Sequence, residues 1–122
     1  MENIKMEVFN PDKHDLDGFK TNNVGQNYVF LEDGKVIGRA NIHFSEREIY
    51  IGTIDAKVEG LGYGKKMINH IKQTYSNYDL ITGDTTQKAK GFWEKMGAIM
   101  DECYDGEFYI QIDPSKNIKP IF

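Results

Sequence analysis

The chain has 122 residues, which is enough for one domain with an ordinary hydrophobic core and too few for two full-sized domains. Hydrophobic residues make up 39% and charged residues 28%, a composition typical of globular proteins and not of disordered or fibrous ones. The formal net charge is −4, whereas binders of nucleic acid or anionic membranes carry a basic surface. No nucleic-acid or membrane partner is therefore expected.

Cysteine and histidine are sparse, and no targeting segment is recognisable. One cysteine, Cys103, excludes an internal disulfide, and three scattered histidines provide no ligand set for structural zinc, so no metal site is expected. No apolar run approaches the roughly 20 residues of a membrane span, and the first residues lack the basic-then-apolar pattern of a signal peptide. The expected location is the cytoplasm.

The first half of the chain has the two-residue period of β-strands. Alternating or continuous apolar residues predict strands at residues 4–8, 28–32, 35–44 and 48–54. The second and third of these flank Asp33-Gly34, a dipeptide that supplies the positive φ angles of a two-residue hairpin. Residues 12–27 contain few apolar side chains and are predicted to form a loop.

The second half changes to the period of 3.6 that is typical of helices. Met67, Ile68, Ile71 and Tyr75 form one apolar stripe and predict an amphipathic helix over residues 65–76. A second helix contains Ala89, Phe92, Trp93 and Met96 and is expected to end at Gly97. Short strands are predicted at residues 79–83, 99–104 and 107–112, the last two joined by Asp105-Gly106.

This order of elements predicts an α/β (α+β) fold. The sheet is expected to be mixed and mostly antiparallel, with one central strand-helix-strand crossover. We expect residues 1–113 to form the domain and residues 114–122 a C-terminal tail, which either docks on the domain or is frayed.

A glycine-rich segment at residues 58–66 lies where the crossover helix begins. Backbone N–H groups at such a helix start can converge on an anion. The segment is not a Walker A loop, because Lys66-Met67 stands where Lys-Ser or Lys-Thr is needed. It also misses the dinucleotide fingerprint, since Lys65 occupies the third small position. A nucleotide-dependent enzyme stays open as an alternative only because of this segment.

Two motifs resemble those of the GNAT superfamily of N-acetyltransferases. Glu59-x-x-Gly62-x-Gly64 resembles the family's pyrophosphate loop, Gln/Arg-x-x-Gly-x-Gly/Ala. Thr86-x-x-Ala89-x-x-Phe92-Trp93 is similar to the family's Asn-x-x-Ala-x-x-Phe-Tyr stretch. The likeness covers roughly residues 28–112, and the segment from Glu48 through the glycines is similar to the histone acetyltransferase branch. The resemblance implies the GNAT acyl-CoA N-acyltransferase fold.

The resemblance also implies an activity. The chain would be an enzyme that moves an acetyl group directly from acetyl-CoA to a primary amine: a protein or peptide lysine, an N-terminus or a small amine. The resemblance places the general base at Glu48, for which a surface carboxylate beside a turn is the alternative interpretation. The implied cofactor-binding residues are Ile54, Ala56, Glu59, Gly60, Leu61, Gly62, Tyr63, Gly64, Lys65, Thr86, Phe92 and Trp93.

Several of these positions have a structural alternative. A threonine such as Thr86 commonly caps a helix N-terminus. Phe92 and Trp93 lie on an apolar stripe, which makes core packing the default interpretation.

The sequence departs from the family pattern in three places. Glu59 puts a carboxylate where the family has Gln or Arg, and Lys57, Lys65 and Lys66 are available to offset its charge. Trp93 stands where many members carry the tyrosine that protonates the departing thiolate. The hydroxyls of Tyr50, Tyr104 and Tyr109 are available to protonate the thiolate, and so is water.

The third departure is on the acceptor side. Only residues 11–27 are present where the family commonly has two helices, so this side is expected to be open or completed by a second copy in a homodimer. The alternative function is a non-catalytic, acyl-CoA-binding regulatory module.

Overall fold

A mixed sheet runs through the computed structural model, which describes residues 3–14, 25–101 and 106–120. Seven strands are found in these ranges, in the spatial order β1-β2-β3-β4-β5-β7-β6. The strands are β1 (Ile4–Val8), β2 (Gln26–Glu32), β3 (Lys35–Phe44), β4 (Glu48–Ala56), β5 (Leu80–Asp84), β6 (Ile99–Met100) and β7 (Glu107–Gln111). The helices are α1 (Tyr63–Thr74) and α2 (Lys90–Lys95), and a 3-10 turn covers Pro114–Lys116.

Neighbouring strands are antiparallel except β4 and β5, which are parallel and joined through α1. The predicted fold class and central crossover are therefore confirmed. The β2–β3 hairpin turns at Asp33 and Gly34, whose φ angles of 51° and 83° are those that the dipeptide predicts. The other predicted hairpin dipeptide includes Asp105, which lies outside the described residues.

Both helices differ slightly from their predicted bounds. α1 begins two residues earlier than expected, because Gly62 takes the left-handed conformation (φ 77°) and the chain turns into the helix directly after it. α2 is short, since residues 87–89 form a turn before it and Gly97 (φ 90°) follows its last turn. No helix in the described part of the chain is long and apolar enough to cross a bilayer.

The hydrophobic core lies between the helices and one face of the sheet. Trp93 of α2 stacks on Phe108 of β7, with ring centroids 4.2 Å apart. Met67, Ile68 and Ile71 of α1 are fully buried in the same cluster. Met96, directly after α2, belongs to the cluster as well. The strands contribute its other buried apolar side chains: Phe30, Ile37, Ala40, Ile42, Ile49, Ile51, Ile81, Phe108 and Ile110.

Four polar side chains of β4 and β5 lie on the opposite face of the sheet. Side chains alternate along a strand, so residues two apart share a face. Glu48 and Tyr50 of β4 and Thr82 and Asp84 of β5 are offset by one residue from the buried Ile49, Ile51 and Ile81. We call the surface formed by these four polar residues the polar face.

β4 and β5 separate part of the way along their length. Their pairing runs from Glu48 and Leu80 to Ile51 and Gly83 and then ends, while β4 continues to Ala56 paired with β3. A bulge at Gly52 shifts the β3–β4 register at this point. We call the end of the pairing, at Ile51 and Gly83, the fork.

Candidate functional site

A loop with left-handed glycines leads from β4 into α1. Gly60 and Gly62 have φ angles of 85° and 77°, and among the described residues no atom other than those of the adjacent residues lies within 4 Å of a Cβ built at either position. Left-handed backbone costs a residue with a side chain about 1–2 kcal/mol, so glycine suits both places. The loop, residues 57–62, is open to solvent on the side where these side chains would stand. We call it the glycine loop.

The start of α1 offers backbone donors. Its first helical hydrogen bond runs from the N–H of Lys66 to the carbonyl of Gly62. Within the described residues, no side chain caps this helix start and no acidic residue lies in its first turn. The N–H groups of Tyr63, Gly64 and Lys65 therefore point out of the helix end together with the positive end of the helix dipole. This arrangement suits a phosphate group.

The charges around the glycine loop are mixed. Lys57, Lys65 and Glu59 are exposed beside it. Lys66 forms an ion pair with Glu32 of β2, at 2.6 Å between Nζ and Oε2, so its charge is already balanced. Lys57 and Lys65 are left to offset Glu59.

Beyond the fork, one edge of β4 lacks a strand partner. From Thr53 to Ala56 the strand pairs with β3 alone, and the backbone groups facing β5 meet no strand within the described residues. Ile54 and Ala56 lie on this stretch, half-buried against the core. Such an edge can pair with the amides of an extended ligand as it would with another strand. It leads from the glycine loop to the fork.

Gly83 brings β4 and β5 together at the fork. A Cβ built there would lie 2.8 Å from the carbonyl oxygen of Ile51 and 2.9 Å from the Phe108 ring. No side chain fits in that space, so the two strands touch at this point before they diverge.

The remaining predicted residues lie in α2 and in the turn that precedes it. The hydroxyl of Thr86 accepts a hydrogen bond from the N–H of Ala89 at 3.2 Å, so it caps the turn before α2. The Phe92 ring packs on the first turn of α1, within 3.0 Å of a Cβ built at Gly64. Trp93 is 4% exposed and lies in the core. A shallow pocket near Thr86 is lined by Thr85, Thr86, Gln87, Lys90, Met100, Asp101 and Gly106.

On the polar face, two hydrogen bonds connect β4 to β5. Glu48 Oε1 accepts a hydrogen bond of 2.6 Å from the Thr82 hydroxyl. The Tyr50 hydroxyl donates to Asp84 Oδ2 at 2.7 Å. This bond, with partial burial and the nearby charges of Asp84 and Glu107, raises the pKa of Tyr50 to about 12.

The structure describes two of the three tyrosines considered as proton donors. Tyr50 directs its proton at Asp84 and has a raised pKa, which suits it poorly to protonate a thiolate. Tyr109 is 8% exposed, and Tyr104 lies outside the described residues. Sequence reasoning missed Thr82 and Asp84 as partners of Glu48 and Tyr50, because only the β4–β5 register brings residues 34 positions apart into contact.

Several solved structures share the fold of this chain. GCN5 from Tetrahymena superposes with a TM-score of 0.62 at 20% identity, covering 76% of this chain and 71% of that one. A putative streptothricin acetyltransferase from Bacillus anthracis in complex with acetyl coenzyme A gives 0.62 at 17% identity, covering 91% and 98%. The ribosomal-protein-S18-alanine N-acetyltransferase from Escherichia coli gives 0.63 at 10%, covering 90% and 94%. A search of curated protein sequences found no significant match.

A family model identifies the chain directly. The model of the acetyltransferase (GNAT) family matches residues 2–98, which is most of the chain and includes β4, the glycine loop and both helices. The resemblance seen in the sequence is confirmed, and acetyl-CoA is the co-substrate that the family match and the acetyl-CoA-bound neighbours support. The uncapped start of α1 and the unpaired edge of β4 fit such a ligand. This chain belongs to the GNAT family of acetyltransferases.

Proposed function

We propose that the chain is an N-acetyltransferase that moves the acetyl group of acetyl-CoA to a primary amine. One observation carries the proposal: the unpaired edge of β4 connects the uncapped start of α1 with the polar face at the fork. Backbone donors at the start of α1, an unpaired strand edge and the carboxylates of Glu48 and Asp84 thus follow one another along β4 and the adjoining end of β5.

The glycine loop and β4 would hold the co-substrate. The N–H groups of Tyr63, Gly64 and Lys65 are free of helical partners at the start of α1, and together with the amides of Leu61 and Gly62 they would bind the pyrophosphate. Backbone groups of β4 near Ile54 would pair with the amides of the pantetheine arm and orient it towards the fork. Bound acetyl-CoA supplies a thioester, whose C–S bond breaks with its electron pair going to sulfur as the amine nitrogen bonds to the carbonyl carbon.

The acceptor must lose a proton before it attacks. A lysine with a pKa of about 10.4 is neutral in roughly one molecule in 10³ at pH 7. The ammonium nitrogen gives up two protons in all. A base takes one and passes it to solvent, and the other goes to solvent as the amide forms, while one proton returns from solvent to the departing sulfur. We propose Glu48 as the base, because its carboxylate is held on the polar face by Thr82 through one oxygen only, among the described residues.

Water is proposed as the proton donor to sulfur. Trp93, at the family's usual tyrosine position, is buried and carries no hydroxyl. The proton of Tyr50 is committed to Asp84. The fork is open to solvent at the exposed Asp84, so water has access to it.

The acceptor class is proposed as a protein or peptide amine, either a lysine or an N-terminus. Only residues 9–25 connect β1 to β2, so the chain offers little material to wall a small-molecule site there. The neighbour from Escherichia coli is named as an N-acetyltransferase of an alanine in ribosomal protein S18, which supports a protein acceptor on this fold. A small amine stays the alternative acceptor, as in the name of the neighbour from Bacillus anthracis.

Thiol release from acetyl-CoA tests the activity. Wild-type protein is incubated with acetyl-CoA and a panel of peptides with free N-termini, peptides with internal lysines, and small amines. We expect amine-dependent thiol release above the rate without protein. Tight binding of acetyl-CoA without release for any acceptor would contradict the proposal and favour a regulatory acyl-CoA-binding module.

A pair of variants tests the proposed base. Glu48→Gln removes the carboxylate and should lower kcat by roughly 10²-fold or more, the usual worth of a positioned general base. Glu46→Gln, at an exposed position two residues away, is the matched control and should leave kcat unchanged. Equal rates in the two variants would remove Glu48 from the mechanism.

A further inference from the structure

The hydrogen-bonded pair of Tyr50 and Asp84 bridges β4 and β5 at the fork. We propose that this pair binds the acceptor amine in its protonated form, with Tyr50 acting as a hydrogen-bond acceptor and Asp84 as the counter-charge. The proposal rests on the proposed acetyl transfer and narrows its substrate class to amines that arrive as cations.

Tyr50 and Asp84 lie where the β4–β5 pairing ends. Tyr50 lies one residue before the last β4–β5 pair, and Asp84 is the first β5 residue beyond that pair. Their hydrogen bond therefore spans the point at which the unpaired edge of β4 begins. A ligand arm that follows this edge from the glycine loop ends beside the pair.

Tyr50 and Asp84 are accessible to a ligand at the fork. The Tyr50 side chain is 36% exposed, and Asp84 is exposed. Thr82, which holds Glu48, is only 7% exposed, and Glu48 lies two residues further from the fork, or about 6.6 Å along the strand. An amine that attacks a carbonyl carbon at the fork must come within about 3–3.5 Å of it. It therefore reaches Tyr50 and Asp84 before it reaches Glu48.

The direction of the Tyr50 hydrogen bond leaves the tyrosine oxygen as a hydrogen-bond acceptor. A phenol has one proton, and Tyr50 directs that proton at Asp84 Oδ2. Towards any other partner its oxygen offers lone pairs only. The second carboxylate oxygen of Asp84 is likewise an acceptor. Two convergent acceptors with a negative charge match an ammonium group, which carries three donors and no acceptor.

The neighbouring groups agree with a cationic ligand. On the strands either side of the pair, the residues in register are His43, opposite Tyr50, and Glu107, opposite Asp84. Glu107 adds negative charge beside Asp84. Glu48, on the same face of β4, adds a further carboxylate, so the charged groups that face the pair from β4, β5 and β7 are all acidic.

Steady-state kinetics test the proposal. Tyr50→Phe removes the lone pairs, and Asp84→Asn removes the charge while allowing its amide to donate to the tyrosine oxygen. Each should raise KM for the amine roughly tenfold or more, the worth of one charge-assisted hydrogen bond, with KM for acetyl-CoA and Tm changed little. Tyr78→Phe and Glu46→Gln are the matched controls and should leave all three values unchanged. An unchanged amine KM in both test variants would overturn the proposal.

A purely structural clamp across the fork predicts a different result. If the pair only holds β4 and β5 together, both variants should lower Tm and raise KM for acetyl-CoA as much as KM for the amine. That outcome would also overturn the proposal.

A binding measurement separates this proposal from the activity on which it rests. Protein labelled with ¹³C at the tyrosine ζ carbons is saturated with coenzyme A and titrated with n-butylammonium chloride, and the Tyr50 signal is assigned by its loss in Tyr50→Phe. We expect a saturable shift of this signal in wild type that is much weaker in Asp84→Asn. No shift would overturn the proposal even if the enzyme is active, whereas a shift without turnover would support the binding role and contradict the proposed activity.

Discussion

Replacing Gly62 with alanine separates a binding effect from a strain effect. Gly62 has a φ angle of 77°, and a Cβ there would project into open space at the start of α1, where the pyrophosphate is proposed to lie. Gly34, in the β2–β3 turn, has a φ angle of 83° and the same open surroundings, but lies in a hairpin that is not part of the proposed phosphate site. The two substitutions therefore impose the same backbone strain at different places.

The expected magnitudes follow from this geometry. Left-handed alanine costs about 1 kcal/mol, so both variants should unfold roughly 3–6 °C below wild type. Only Gly62→Ala places a methyl group against the bound phosphate. Loss of one charge-assisted hydrogen bond, about 1.5–3 kcal/mol, would weaken acetyl-CoA binding about 10- to 150-fold.

Isothermal titration calorimetry with acetyl-CoA measures the binding effect, and thermal unfolding monitored by circular dichroism measures the strain. We expect Gly34→Ala to keep the wild-type Kd and Gly62→Ala to lose affinity, at similar Tm values. If Gly62→Ala binds acetyl-CoA within twofold of Gly34→Ala, the glycine loop does not hold the pyrophosphate and the site is misplaced.

Three further variants probe the supporting structure. Trp93→Tyr should lower the free energy of unfolding by about 1–3 kcal/mol in urea titrations, because the new hydroxyl would be buried in the core. The variant should not raise kcat, since that hydroxyl would lie away from the sulfur, and a rise in kcat would contradict this expectation. Gly83→Ala should destabilise by a similar amount, since its Cβ would press on the carbonyl of Ile51, and unchanged stability would refute the tight contact. Arg47 lowers the pKa of Asp79, so Arg47→Gln should reduce stability at pH 7, and the difference from wild type should shrink as pH falls below about 4 and through the lowered pKa of Asp79. A difference that stays constant as pH falls from about 5 to about 2 would contradict the ion pair's role.

The sequence was sufficient to predict the elements whose signal is local. Asp33-Gly34 specifies its hairpin through backbone angles that few other residues adopt. The stripe of Met67, Ile68 and Ile71 specifies which side of α1 is buried. The position of the glycine loop between β4 and α1 followed from the same change of period.

The site details depend on contacts between distant segments, and these the sequence did not reveal. The fork exists because Gly83 lets β4 and β5 touch while Gly52 bulges beyond it, which no local pattern indicates. The pairing of Tyr50 with Asp84 requires the register of two strands separated by a helix. Lys66 was expected beside the phosphate, but its position on α1 places it against Glu32.

Mass spectrometry of the reaction product shows directly whether the acetyl group of acetyl-CoA is transferred to a primary amine. The protein is incubated with acetyl-CoA carrying a ¹³C-labelled acetyl group and with peptides that differ only in a free or blocked amine. If the chain transfers acetyl groups with Glu48 as the base, a labelled amide should form on the free amine with wild type and be strongly reduced with Glu48→Gln, and none should form on the blocked peptide. Binding of acetyl-CoA with no labelled amide on any primary amine would contradict the proposed transfer.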